Sequence, residues 1–171
     1  MYAAVNALNE LLAMRLPNAL NDGLFQVVAG AVPRREYPEV LWEGMGVDTL
    51  SRVARRAVKH LGAVTDLSID VERPFHRRRF RDRHAFFDAI SGLWDKQACV
   101  FIVRVDWPKG QGSAHWTVLK CIEKDRVRLL DSGNQREIAT ARLGVRGDRG
   151  TRLHPPSTIM MTLRTVGGGS V

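Results

Sequence analysis

The sequence predicts a single α+β domain in which helices come first and an antiparallel sheet follows. Three observations carry that expectation. Residues 49 to 61 place Leu50, Val53, Ala57, Val58 and Leu61 at helical spacing, with Arg52, Arg55, Arg56 and Lys59 turned outward. Residues 114 to 133, AHWTVLKCIEKDRVRLLDSG, alternate like two strands joined by a short polar loop. The chain has 171 residues, 44% of them hydrophobic and 26% charged, which suits one domain with a sizeable core. That domain is expected to span residues 1 to 166, leaving the glycine-rich residues 167 to 171 as a disordered tail.

Taken in order, residues 2 to 14 read as a central helix, apolar enough for Ala3, Ala4, Ala7, Leu8, Leu11 and Leu12 to pack on several sides. Pro17, Gly23, Gly30, Pro33 and Pro38 break up residues 15 to 46, leaving room for a short helix near 20 to 28. Asp48 is the expected N-cap of the amphipathic helix 49 to 61. Residues 66 to 72 suit a short edge strand ended by Pro74. Residues 84 to 94 form a second helix with Phe87, Ile90 and Trp94 along one side. The apolar run 98 to 105, the hairpin, and residues 157 to 163 complete the sheet.

The hairpin carries the most chemistry. Along its first strand His115, Thr117, Leu119 and Cys121 point one way, and Trp116, Val118, Lys120 and Ile122 the other. With Glu123, Lys124 and Asp125 as the loop, Ile122 opposes Arg126, His115 faces Gly133, and Asp131 is the same-face diagonal neighbour of His115. A bulge would shift that register by one residue. The His115 face continues through Val127 and Leu129 and is apolar, whereas Lys120, Arg126 and Arg128 lie on the wetter face. A base and an orienting carboxylate at the mouth of a buried surface are two members of a nucleophilic triad. The plainer reading is a strand-start histidine hydrogen-bonded to a turn carboxylate.

Residues 1 to 12, MYAAVNALNELL, together with HWTV and LLDSG, resemble papain-like cysteine peptidases, in particular relatives of the bacteriocin-processing, double-glycine-leader peptidases. That family opens its central helix with a Cys-Gly pair; here Ala3, Ala4, Asn6, Ala7 and Leu8 match the helix body, and Met1 and Tyr2 the positions just after the pair. The resemblance implies a bacterial protein of papain-like fold, its central helix packed on a C-terminal antiparallel sheet. It implies His115 as general base and Asp131 as its orienter; Trp116, Gln111 and Asn134 are the candidate contacts to a peptide or protein substrate, against the plainer readings of half-buried packing for Trp116 and turn chemistry for Asn134. The chemistry implied is hydrolysis of a peptide or isopeptide amide, or a related acyl-thiol reaction, without a cofactor or metal.

The nucleophile of that family is not among the residues of this chain. Cys99 and Cys121 both lie in strand-like, apolar surroundings and read as inert packing. The glutamine that stabilises the oxyanion in papain-like enzymes would also precede Met1. The chain as given is therefore expected to be inactive. Either its start was assigned downstream of a true Cys-Gly, which the immediate match of Met1 and Tyr2 to the motif favours, or it is a pseudoenzyme kept for binding peptide. Two cysteines without a CxxC pair or a histidine cluster argue against a disulfide scaffold and a structural zinc site.

A net charge of +8 raises a second class of function. Its densest source is HRRRFRDRH, residues 76 to 84, where Arg77, Arg78, Arg79 and Arg81 surround Phe80. Arginines with an interleaved aromatic suit an acidic partner or nucleic acid, against the plainer reading of a solvated loop. Trp107, Pro108, Gly110 and Gly112 mark a loop able to flex over a cleft, and His154 reads as a loop histidine. No apolar run reaches membrane-spanning length and no signal peptide is visible, so the expected location is cytoplasmic.

Overall fold

A computed structural model describes residues 1–13, 21–42, 44–108, 114–130, 137–145 and 150–164. The chain opens with α1 (Tyr2–Ala13), α2 (Asn21–Gly30), α3 (Tyr37–Trp42) and α4 (Val47–Val64). It continues through β1 (Ser68–Glu72), α5 (Arg83–Trp94), β2 (Cys99–Asp106), β3 (His115–Ile122) and β4 (Arg126–Leu130). It closes with β5 (Glu137–Ala139), β6 (Leu143–Gly144), β7 (Thr151–Leu153) and β8 (Ile159–Arg164). The α+β class follows, and β1 and α5 stand between the leading helices and the rest of the sheet, as the strand at 66 to 72 and the helix at 84 to 94 predict.

The main path of the sheet runs β1-β8-β2-β3-β4-β5, with every neighbouring pair antiparallel. β1 is an edge strand, as its position before Pro74 requires. β7 pairs with the end of β2, Val105 opposite Leu153, and holds the two-residue β6 in a short parallel pair. Strand alternation then divides the apolar residues between two cores. Val100, Ile102, Val118, Ile159 and Met161 face α1, α2 and α4, while Phe101, Val103, Val105, Leu119, Val127 and Leu129 face α5. Helices therefore cover both faces of the sheet.

On the first face α1 lies flat because its contact side is built from small residues. Ala3, Ala4 and Ala7 are buried and let the helix backbone approach, and Leu8 and Leu11, with no exposed surface, fill the space between it and β2, β3 and β8. α4 buries Leu50, Val53, Ala54, Ala57 and Leu61 against β1 and α2, as its periodicity predicts. Asp48 does not cap it. The N-cap is Gly46, without a side-chain hydrogen bond, and Asp48 sits inside the first turn, where it favours the positive helix end and takes the Arg73 guanidinium at 2.6 Å.

On the second face α5 begins at Arg83, capped by Asp82, whose carboxylate accepts from the Ala85 N–H at 2.9 Å. Phe86 is its central anchor, with Phe75 and Phe80 set edge-on to it at ring-centroid distances of 5.5 and 5.2 Å. Phe80 is thus a core residue. The aromatic that the sequence interleaves with arginines offers no open platform for stacking bases, because its ring is already enclosed.

Candidate functional site

β3 begins at His115 and pairs with β2 over residues 115–119 and with β4 over residues 118–122. Against β4 the pairs Val118 with Leu130 and Leu119 with Leu129 give the register the sequence predicts. A bulge between Leu119 and Cys121 then changes it toward the turn, so that Ile122 opposes Val127, not Arg126, and Cys121 opposes Arg128. The extra residue reverses the alternation. Ile122 packs against the α5-side core, while Cys121 is half-buried, opposite the exposed Arg128, with its thiol 3.6 Å from Glu123 Oε1. The expectation that Cys121 shares the apolar face of Leu119 is corrected accordingly.

α1 runs alongside β3. Asn6 Nδ2 donates to the Leu130 carbonyl at 3.3 Å, level with Val118, and Glu10 lies 4.0 Å from Lys120 Nζ. The helix therefore starts toward the end of the sheet at which His115 opens β3. The same Leu130 carbonyl accepts from Thr117 Oγ1 at 3.1 Å, tying the two strands and the helix at one point.

The faces are less simple. Trp116, Val118 and Leu130 belong to the α1 side of the sheet. His115 pairs with Val105, which with Leu119 belongs to the opposite, α5-side core, so alternation puts the His115 position on the face away from α1. The ring is half-buried and engaged with another group. Asp131, Gln111 and Asn134 lie outside the described residues.

Trp116 is half-buried and packed against the α1-side core, its indole N–H donating to the Met45 carbonyl at 2.7 Å. Gly44, in the left-handed region at φ +84°, lets the chain turn just before that carbonyl. Beside Trp116, on the same face, β2 carries Arg104, paired opposite it, and then Asp106. Asp106 accepts Arg104 at 2.8 Å and has Arg152 of β7 at 3.9 Å. This charged group went unread in the sequence. Its signal was there, in the i, i+2 pair of charges at the end of the otherwise apolar CVFIVRVD.

Neither cysteine is set up as a nucleophile. Cys99 is almost fully buried in β2, and burial pushes its thiol up to about 11. Cys121 is also raised, first by desolvation and then by its contact with Glu123. A thiol that stays protonated at neutral pH attacks poorly.

The basic run forms the loop between β1 and α5. Arg77, Arg78 and Arg79 are exposed, and the Arg78 guanidinium stacks 4.7 Å from the Phe80 ring centre. Arg81 pairs with Asp82 at 3.1 Å. No described helix is long and apolar enough to cross a membrane. Searches of known protein families, curated proteins and solved structures found nothing that matches this chain.

Proposed function

We propose that the domain is a papain-like scaffold carrying the base half of an acyl-thiol site, with His115 as the general base and Asp131 as the carboxylate that orients it. The observation that carries this reading is the run of α1 along β3, with the head of the helix toward the strand end occupied by His115. A thiol just ahead of Met1 would stand at the positive end of that helix, where a thiolate is favoured. With such a thiol the site would hydrolyse a peptide or isopeptide amide, or run a related transfer through the same acyl intermediate.

A second reading is favoured by one specific observation, the alternation that assigns His115 to the face opposite α1. On that reading the domain binds a peptide or acidic partner without catalysis, and His115 is a structural residue at a strand end. The two separate in one experiment. The chain is extended by Cys-Gly ahead of Met1, and covalent labelling by a thiol-directed electrophile is followed by intact mass. The acyl-thiol reading expects one fast-labelling site that slows at least ~10-fold in His115→Ala, the scale of base assistance to a nucleophile. Labelling at the rate of a free thiol, unchanged in His115→Ala, favours the binding domain.

A further inference from the structure

Independently of that reading, a cleft of about 360 Å³ opens between the loop after β1 and the turn after β7. Arg78, Arg79 and His154 line its polar side, and Val145, Pro155 and Pro156 its apolar side. We propose that this cleft binds a phosphomonoester, held by the Arg78 and Arg79 guanidiniums with His154 beside them.

Two arginines lining one concave site match a dianion in charge, and the planar guanidinium suits its oxygens. Among the described residues, neither Arg78 nor Arg79 is paired with a carboxylate, and no acidic side chain lines the cleft. Arg78 is held in advance. Arg78 is stacked on Phe80, whose ring is fixed by Phe75 and Phe86. The loop is folded back by the Arg78 N–H on the Phe75 carbonyl at 3.0 Å. Arg73 then ties the loop to the opposite wall through the Pro156 carbonyl at 3.1 Å.

His154 is anchored as well, its backbone N–H on the Arg104 carbonyl at 3.0 Å and its Nδ1 2.7 Å from Ser157 Oγ. That leaves Nε2 as the ring nitrogen for a ligand. Donors fixed before binding lose less freedom on binding. A bounded group is favoured over a polyanion lying across the loop for two reasons. Arg77 and Arg81 do not line the cleft, and Phe80, which does, is only 4% exposed and packed edge-on by Phe75 and Phe86, too little ring surface for a base to stack on.

The test is titration of the full chain with inorganic phosphate and, separately, with a phosphoserine hexapeptide, followed by calorimetry and by the arginine side-chain NMR signals. Saturable binding is expected, weakened at least ~10-fold in Arg78→Gln and in Arg79→Gln and changed less than ~2-fold in Arg77→Gln, as loss of a charge-assisted contact against loss of a distant charge implies. Equal affinity for phosphate and peptide would identify a free phosphate compound as the ligand class; tighter peptide binding would identify a phosphorylated side chain. Absence of saturation, or equal losses in Arg77→Gln and Arg78→Gln, would overturn the proposal. So would a single-stranded oligonucleotide that binds more tightly than either probe and depends on all four arginines alike, which would make the loop a polyanion surface. Thermal melts of each variant exclude unfolding as the cause of any loss.

Discussion

Cys99 and Cys121 differ in burial and lie on different strands, yet both are raised above an ordinary thiol. Reaction with a disulfide reagent at pH 8 is therefore expected to be slow at both, with Cys121 labelled first and Cys99 only as the protein unfolds. Two fast thiols in the folded state would contradict the burial described. His154 makes a second prediction. Its folded pKa is lowered, chiefly by burial and then by Arg104, with Asp106 opposing. The unfolded chain takes up the proton first as pH falls, so this residue costs nothing above the ordinary histidine range and destabilises the fold as pH drops through and below about 6.5. Denaturant melts from pH 7.5 to 5 should show that loss reduced in His154→Gln; an equal loss in the variant would remove His154 as its source.

Among the elements, α1 holds the α1-side core and fixes where the head of the helix stands. Leu8 has no exposed surface, and Leu8→Ala should cost about 2–5 kcal/mol by chemical denaturation. A loss below about 1 kcal/mol would mean that the helix is not packed as described. Long periodic elements were legible in the sequence: α1, α4, α5, β2 and the hairpin follow from spacing alone, because each buries one face. The 118–130 and 119–129 register was legible too. The bulge at Lys120 was not, since nothing in LKCIEK distinguishes an extra residue from a regular strand, and it sends Cys121 and Ile122 to the faces opposite those expected. Asp48 had the chemistry of a cap, but the helix starts one residue before it, at Val47, and ion pairing with Arg73 claims its carboxylate. β5, β6 and β7 are two or three residues each, too short to show a period.

The whole molecule is a sheet with a core on each face, and its two candidate functions fall at different places on it. The second core explains why the arginine loop was only half legible: the charges were plain in the sequence, but Phe80 turns inward and converts an apparent stacking motif into an anchor. Of the elements that the proposed acyl-thiol site draws on, the Val118–Leu130 and Leu119–Leu129 register was readable, while the side of the sheet on which α1 would lie was not, because helix docking is a tertiary choice. That choice decides the central claim. The most direct measurement is the pKa of the thiol in the chain extended by Cys-Gly, taken from the pH dependence of its alkylation, with and without His115→Ala. The acyl-thiol account predicts a value well below the ordinary cysteine value of about 8.5, rising toward it when the imidazole is removed. A thiol that titrates near 8.5 in both proteins would contradict it and leave a binding domain.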